Sequence, residues 1–383
     1  MKHSYIAKRF QSSGAGLSLD TEALAKYKDI IDLSIGDTDF TTDESIINAA
    51  FRDAKAGHTH YGDPKGDPEL IDAVCRAWEE DFGQRLPRDH VLVSASSCLG
   101  MALVMLAILD PGDEVIVFSP YFPMYREQIE LAGGVCVDVP TYASEDYAID
   151  EARLRAAITP RTKAIVFNNP TNPTGMGYDG KTLELLARVA QEHDLLIAAD
   201  EIYTTYLYEG DFRPIRTLPG MAERTITLNS FSKNFLMTGW RVGVIIAEPE
   251  LLAVMNRVNG SLIYSAPSVS QRAAIQALAM RKEIREKYVT AYRDRIFYSA
   301  DRIEKIPYLS LVRPKGTFYL FPGVEKTGLD EKAFCKVLLD QAHVLVSPGT
   351  PFGVSAAGHF RIACTVGIDQ LKTAFDRMEK LSF

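Results

Sequence analysis

The sequence predicts an α/β protein in which apolar strands alternate with helices and end at polar residues. Short apolar runs typical of buried strands occupy residues 163–167, 195–199 and 225–228, and an amphipathic helical pattern at residues 180–192 separates the first two. Polar residues follow each run directly. Because open α/β sheets bind ligands beyond the carboxyl ends of their strands, we expect a functional site at that edge of the sheet.

The length and charge of the chain favour small-molecule chemistry. At 383 residues the chain exceeds a usual single core, so we expect two domains, or one large and one small domain. Its 42 basic and 50 acidic residues give a net charge of -8, which offers neither a basic face for nucleic acid nor a polybasic membrane patch. We therefore expect no nucleic-acid or membrane partner.

Cysteine usage and the N-terminal residues predict a cytoplasmic protein. The five cysteines form no Cys-x-x-Cys pair, and an odd number in a long chain suggests reduced thiols. The chain begins without an apolar signal core, and no later segment is apolar over the length that spans a bilayer. No metal site is expected.

A lysine lies at the end of the third apolar run. Lys233 is flanked by Ser230 and Ser232, and Arg241 follows eight residues later. Alone, such a lysine is most simply a solvated loop residue, because lysines are mostly exposed. In this company it is a candidate for the lysine that holds pyridoxal phosphate (PLP) as a Schiff base, with the two hydroxyls and the planar cation binding the phosphate.

The other two runs end at residues that also suggest a ligand. Asp200 follows five apolar residues, and a buried carboxylate needs a cation or hydrogen-bond donors. Asn172 lies in the segment Asn-Asn-Pro-Thr-Asn-Pro-Thr-Gly, whose two Asn-Pro turns could hold cis peptide bonds. A further strand at residues 91–93 leads through small residues into a helix, where the backbone amides of Ser97 and Cys98 suit an anion. The Cys98 thiol is interpreted as structural.

Taken in order, these residues resemble the class I/II aminotransferases, which are PLP-dependent enzymes of fold type I in the aspartate aminotransferase superfamily. The resemblance spans nearly the whole chain. It rests on the order and approximate spacing of Gly36, Tyr61, Asn172, Asp200, Tyr203, Lys233, Arg241 and Arg361.

The resemblance implies a fold and an assembly. The expected fold is a mostly parallel seven-stranded sheet flanked by helices, in a large PLP-binding domain at about residues 45–285. Residues 1–44 and 286–383 would form a smaller α+β domain. In the family a tyrosine at the position of Tyr61 reaches the cofactor phosphate of the other subunit, which implies a homodimer with shared active sites.

The resemblance also assigns roles around the cofactor ring. Lys233 would form the Schiff base and then move a proton, while Asp200 would pair with the protonated pyridine nitrogen. Asn172 and Tyr203 would donate to the phenolate oxygen of the cofactor. Phe122 would stack on the pyridine face, although a core aromatic is the ordinary alternative.

The chain departs from the family in the loop that binds the phosphate. The family usually has glycine at the position of Ser96 and a polar or acidic residue near Leu99. The resemblance therefore assigns phosphate binding here to the backbone amides of Ser97 and Cys98.

Substrate binding is implied for two residues outside the large sheet. The backbone of Gly36 would approach the substrate carboxylate, and Arg361 would bind that carboxylate through two parallel hydrogen bonds, with Asn172 helping to orient it. A turn glycine and a structural salt bridge are the respective alternatives.

The substrate side chain would be uncharged or aromatic. Residues 11–16, the region of Phe122 and residues 261–265 offer apolar, aromatic and hydroxyl groups to it. An aspartate-specific enzyme would need a second cation, for which Arg9, Lys65 or a residue of the partner subunit are candidates.

The predicted function is transfer of an amino group between an L-amino acid and a 2-oxo acid. A PLP-dependent carbon–sulfur β-lyase of the same fold shares almost every motif and stays open as an alternative. A PLP-sensing regulator would need an appended DNA-binding module. The first helical pattern of this chain instead falls within the region that resembles the enzymes, which disfavours a regulator.

Overall fold

Twelve strands are assigned in the computed structural model, which describes Tyr5, Ala7 and residues 26–383. In chain order they are β1 Ile31–Asp32, β2 Val91–Ser94, β3 Glu114–Ser119, β4 Val135–Pro140, β5 Thr162–Asn168, β6 Leu196–Asp200, β7 Thr225–Ser230, β8 Gly243–Ile246, β9 Tyr319–Leu320, β10 Val344–Leu345, β11 Ser347–Pro348 and β12 Phe360–Ala363.

Seven of these strands form one sheet in the order β2-β8-β7-β6-β5-β3-β4. Strand β8 runs antiparallel to both of its neighbours, and the remaining pairs are parallel. The prediction of a mostly parallel seven-stranded sheet is confirmed. The strands of its centre are buried along almost their whole length, which explains their continuous apolar runs.

Helices flank the sheet and make up much of the remaining described chain. They are α1 Glu44–Lys55, α2 Pro68–Phe82, α3 Ser97–Ile108, α4 Met124–Leu131, α5 Glu151–Ala156, α6 Gly180–Glu192, α7 Phe231–Asn234, α8 Pro249–Leu262, α9 Ser268–Ala279, α10 Arg281–Ile284, α11 Thr290–Ile303, α12 Glu331–Val337 and α13 Ile368–Met378. At the start of helix α2, Asp67 accepts from the backbone amide of Glu69, and Pro68 lies in the first turn. Within residues 26–383, no helix is both long and apolar enough to cross a membrane.

A second apolar cluster lies apart from the large sheet. Strand β1 pairs in parallel with β10, and β12 lies between β11 and β9 in a small antiparallel sheet. The side chains of these strands pack with those of α11 and α13, for example Val344, Ile303 and Phe375, all of them fully buried. This cluster joins residues near the start of the described chain to its C-terminal part.

Residues 309–312 form no strand. Only an isolated antiparallel bridge joins Ser310 to Gly323. The position opposite Leu311 is occupied by Pro322, which has no backbone N–H to extend the ladder. Strand β1 ends at Asp32 and does not reach Gly36.

Candidate active site

A cleft of about 1170 Å³ opens at the carboxyl ends of β5, β6 and β7 and is closed on its other side by residues of β11 and β12. These parallel strands are in register at Asn168, Asp200 and Leu228, so their last residues meet at one edge. All but one of the predicted site residues line the cleft, namely Gly36, Ser97, Cys98, Phe122, Asn172, Asp200, Tyr203, Ser230, Ser232, Lys233, Arg241 and Arg361.

Lys233 is held on the single turn α7 that follows β7. The turn is capped by Ser230, whose hydroxyl accepts from the backbone amide of Ser232 at 3.1 Å. The amine of Lys233 donates to the carbonyl oxygen of Gly36. The simpler interpretation of the sequence was a solvent-exposed loop lysine, but the side chain of Lys233 lines the cleft.

The electrostatic surroundings of Lys233 favour its neutral form. Burial lowers the pKa of the amine to about 8, and the positive charges of Arg361 and Arg241 act in the same direction, against the carboxylate of Asp37. A lysine with such a pKa is partly unprotonated near neutral pH. It can therefore act as a nucleophile and as a base.

Asp200 ends β6 and is only 6% exposed. The hydroxyl of Tyr125 donates to its Oδ2, whereas no described group donates to its buried Oδ1. Burial raises the pKa of Asp200 to about 6, although the bonds from Tyr125 and from the backbone of Ile202 oppose the rise. A buried carboxylate with one unpartnered oxygen beside a cleft fits a bound cation such as a protonated pyridine ring.

Arg361 projects from β12 and is 4% exposed. Its Nη1 donates to Oδ1 of Asn172 at 3.1 Å and its Nη2 to the carbonyl oxygen of Ser34 at 2.6 Å. Its buried Nε has no partner within residues 26–383, and no carboxylate of that region forms an ion pair with it. The structural salt bridge is therefore not found there, and the guanidinium retains a donor for an anionic ligand.

Asn172 is fixed by the end of the neighbouring strands. Its backbone amide donates to Oδ1 of Asn168 at 2.8 Å, and Nδ2 of Asn168 donates to the carbonyl oxygen of Asp200 at 2.9 Å. The two Asn-Pro bonds of this segment, at Pro170 and Pro173, are cis.

Gly36 is required for a reason other than turn formation. A Cβ atom at this position would lie 1.8 Å from Oη of Tyr319. Only glycine leaves room for the ring of Tyr319. The carbonyl oxygen of Gly36 accepts the hydrogen bond from Lys233.

The anion site predicted at the start of α3 has an unusual backbone. Ser96 has φ 95° and ψ 156°, a region that is almost restricted to glycine. Its hydroxyl caps the helix by accepting from the amide of Leu99 at 3.3 Å. Opposite this turn, a Cβ on Gly243 would lie 2.8 Å from the backbone nitrogen of Ser97. Ser96 thus adopts a backbone conformation typical of glycine, the residue that the resemblance leads us to expect at this position.

The remaining groups around this anion site are mixed in burial. Ser230 and Ser232 are buried, and the exposed Arg241 donates to the carbonyl oxygen of Thr238 at 2.9 Å. Cys98 is exposed as a residue, but partial loss of solvent around its thiol raises the pKa of that group, with Arg241 acting against the rise. A raised thiol pKa agrees with a structural rather than a reactive cysteine.

Tyr61 does not line the cleft that the described residues form. It is 88% exposed and contacts Tyr264 edge to face, with ring centroids 5.2 Å apart. Leu262 and Ile263 are exposed in the same segment, which likewise lies outside the cleft lining. Lys65 is exposed and not part of the lining, and Arg9 and residues 11–16 lie outside the described residues.

Two tyrosines of the site were not identified from the sequence. Tyr125, which ordinarily reads as core packing, binds Asp200 and packs edge to face with Phe122 at 5.8 Å. Tyr319 places its hydroxyl 3.1 Å from that of Tyr203. The position of Tyr125 close to Phe122 in the sequence could have identified it. Tyr319 reaches the site through strand pairing that the sequence does not show.

The donor set agrees with PLP. The unpartnered Asp200 oxygen suits the ring nitrogen, the partly neutral Lys233 suits the aldehyde, and the helix start at Ser97, kept open by Gly243, suits a phosphate. Among the described residues, no group of three or more His, Cys, Asp or Glu side chains is arranged to hold a metal ion.

Comparison with known proteins connects this site to one family. The family pattern described as "Aminotransferase class I and II" matches residues 28–378. The arginine–pyruvate transaminase AruH of Pseudomonas aeruginosa is 35% identical over 382 residues, covering 99% of this chain and 97% of the relative. The aspartate/prephenate aminotransferase of Thermus thermophilus is 38% identical over 385 residues and 98% of both chains. The solved structure of the Thermus thermophilus aspartate aminotransferase with maleate superposes with a TM-score of 0.93 at 35% identity, covering 99% of this chain and 100% of that one.

Proposed function

The chain belongs to the class I and II aminotransferases, and from that premise we propose that its cleft binds pyridoxal 5'-phosphate and an L-amino acid in turn with a 2-oxo acid. The observation that carries the proposal is the pairing, in one cleft, of a partly neutral lysine with a buried carboxylate that has an unpartnered oxygen. Relatives named as aminotransferases do not favour the carbon–sulfur lyase alternative.

Five groups would bind the cofactor phosphate: the backbone amides of Ser97 and Cys98, the hydroxyls of Ser230 and Ser232, and the guanidinium of Arg241. The amides start α3, where the helix dipole favours an anion. Both serines are buried and donate without competition from bulk water.

The ring of the cofactor would be held by residues from different strands. Phe122 would cover one face, Asp200 would accept from the ring nitrogen, and Asn172 and Tyr203 would donate to the phenolate oxygen. When bound, PLP supplies an electron-withdrawing ring that stabilises negative charge at the substrate Cα. The carboxylate of Asp200 would keep that ring protonated, because its negative charge is buried and its Oδ1 has no hydrogen-bond donor among the described residues.

Lys233 would carry the proton transfers. Its Nζ, when unprotonated, would take the proton from the substrate Cα. Its lowered pKa makes the neutral amine available near neutral pH. The hydrogen bond from this amine to Gly36 shows that Nζ can reach the side of the cleft where the substrate carboxylate is proposed to bind.

Arg361 would bind the substrate α-carboxylate, with the backbone of Gly36 nearby. Its Nε is buried without a described partner, and its other two nitrogens already hold Asn172 and Ser34 in place. Burial lowers the pKa of Arg361, so an anion in the cleft relieves an unpaired buried charge.

We propose an uncharged or aromatic substrate side chain. The cleft lining includes the apolar residues Ile35, Phe122, Leu345 and Val346, which support this assignment. Two lysines on α12, Lys332 and Lys336, also reach the lining and are exposed. Comparing kcat/KM for phenylalanine, methionine, alanine and aspartate with one 2-oxo acid tests the assignment. A clear preference for aspartate would overturn it and direct attention to those lysines.

The remaining organisation is also proposed. A homodimer with Tyr61 reaching the partner's phosphate site is supported by the exposure of Tyr61, Leu262 and Tyr264 outside their own cleft. Division into a large domain at about residues 45–285 and a small domain of 1–44 plus 286–383 is supported by the separate apolar cluster. A cytoplasmic location is supported by the five cysteines, which all lie unpaired in the described chain.

The reaction itself is tested by a half-reaction. The protein loaded with PLP is mixed with one amino acid and no acceptor, and the absorbance of the cofactor and the released product are followed. We expect one equivalent of 2-oxo acid per site and then no further turnover until a second 2-oxo acid is added. Continuous release of pyruvate and ammonia from cystathionine without an acceptor would instead support the lyase.

A further inference from the structure

Tyr319 contacts both halves of the proposed site, although no motif marks it. It lies on β9, is 2% exposed and lines the cleft. Its hydroxyl lies 3.1 Å from the hydroxyl of Tyr203. Tyr203 is the residue proposed above to donate to the phenolate oxygen of the cofactor. The close approach of the Tyr319 ring to Gly36 shows how tightly this ring is enclosed.

The ring of Tyr319 also supports Arg361. The guanidinium carbon of Arg361 lies 4.7 Å from the centroid of this ring and 4.9 Å from that of Phe352, so the cation is held between two aromatic faces. Strand pairing explains the contact, because the residue directly opposite Tyr319 is the small Ala363. Arg361 lies two residues before Ala363 on the same face of β12, within diagonal reach of a long aromatic side chain.

The direction of the tyrosine pair follows from the charges around it. Burial raises the pKa of both hydroxyls, and the cation of Arg361 opposes the rise at both. At Tyr319 the effect of Arg361 is second only to burial, whereas at Tyr203 it is smaller than that of the Asp200 carboxylate, which adds to the rise. Tyr319 is therefore the better donor of the two. If Tyr319 donates, the single hydroxyl proton of Tyr203 is left to point into the cleft.

We propose that Tyr319 is a positioning residue with two separable parts: its hydroxyl directs the Tyr203 proton towards the cofactor oxygen, and its ring holds Arg361 for the substrate carboxylate. The assignment rests on the proposed function, because it needs PLP beside Tyr203. It also joins the cofactor and carboxylate sites through one side chain.

Two substitutions separate the parts. Tyr319→Phe removes the hydroxyl and keeps the ring, whereas Tyr319→Leu removes both. Tyr308→Phe is the matched control. Like Tyr319, Tyr308 is a buried tyrosine with a hydrogen-bonded hydroxyl, which donates to the carbonyl oxygen of Met378, but it lies outside the cleft lining. Two properties are measured on each PLP-loaded protein: the pKa of the cofactor absorbance from a spectrophotometric pH titration, and the dissociation constant of 3-phenylpropanoate.

The hydroxyl part predicts a spectral effect. Tyr319→Phe should move the pKa of the cofactor absorbance in the same direction as Tyr203→Phe, and the double variant should show no more than the Tyr203→Phe change. Tyr308→Phe should leave it unchanged. An unaltered spectral pKa in Tyr319→Phe, or additive changes in the double variant, would overturn the assignment of the hydroxyl.

The ring part predicts a binding effect. The dissociation constant of 3-phenylpropanoate should stay within about twofold in Tyr319→Phe and rise about 3- to 30-fold in Tyr319→Leu, the range expected from losing a cation–π contact. Equal weakening in both variants, or none in a folded Tyr319→Leu protein, would refute the ring assignment. If the unsubstituted protein bound no PLP, the proposed function itself would fail, which is a different result from these.

Discussion

Replacing Tyr125 by phenylalanine tests how the fold controls the carboxylate at the centre of the site. The hydroxyl of Tyr125 is the side-chain donor to Asp200, whose pKa is about 6 in the absence of cofactor. A hydrogen bond to a buried charge contributes about 1.5–3 kcal/mol. At about 1.4 kcal/mol per unit, its loss should raise the pKa of Asp200 by about 1–2.

The sign of the stability change follows from this rise. Because burial holds the folded pKa of Asp200 above its unfolded value, the folded protein binds the proton more tightly, and stability falls as pH rises between the two values. In the unsubstituted protein this fall ends near pH 6. In Tyr125→Phe it should continue for about 1–2 pH units more, so the variant becomes less stable by about 1.5–3 kcal/mol between pH 6 and pH 8.

The assay is denaturant unfolding of the cofactor-free protein from pH 5 to pH 9 at one protein concentration. Burial also places Glu201 and Lys233 near pKa 8. Lys233 titrates in both proteins and cancels in the difference, whereas Glu201 responds to the charge of Asp200, so its share of the difference disappears with that charge in the control below. The control is the same substitution in an Asp200→Asn background, where the difference should not depend on pH. A difference that is constant over the whole range in the original background would refute the reasoning.

Three further predictions concern the same cleft. Asp200→Asn should lower kcat by raising its activation free energy by about 4 kcal/mol, the energy of a charge pair about 4 Å apart at an effective dielectric of about 20. The stability of the cofactor-free protein should not fall, and a near-normal kcat would contradict the role of Asp200. In cofactor-free unfolding, Ser96→Gly should be more stable than Ser96→Ala by about 1–3 kcal/mol, because glycine relieves the backbone strain and alanine keeps it; equal stabilities would show that the serine is unstrained. Arg361→Lys should lower kcat/KM at least about tenfold, because an ammonium group cannot copy the forked contact to a carboxylate; an unchanged value for several substrates would remove Arg361 from the carboxylate site.

The large sheet and the edge that carries the site could be predicted from local sequence. Buried parallel strands need continuous apolar runs, and the polar residues that follow them had to meet once those strands were parallel. Asn172, Asp200 and Lys233 come together for that reason. The short strands of the C-terminal part were less predictable, since two-residue pairings such as β9 with β12 leave almost no periodic pattern.

The parts of the site that the sequence did not reveal depend on contacts between distant residues. Tyr125 and Asp200 are 75 positions apart and meet only through side chains, and Tyr319 reaches Tyr203 across 116 positions. The sequence marked Ser96 as unusual, but the conformation that makes it unusual is a property of the folded loop. Local patterns therefore located the cleft, whereas tertiary packing decided which aromatic hydroxyls enter it.

Covalent trapping of the cofactor tests the central assignment most directly. The cofactor-free protein is incubated with PLP, reduced with borohydride, digested and mapped by mass spectrometry. The structure predicts one phosphopyridoxyl group per chain, attached to Lys233, whose buried amine of pKa about 8 lies in the cleft with Asp200. Attachment at another lysine, or no attachment under conditions where PLP is bound, would contradict the account.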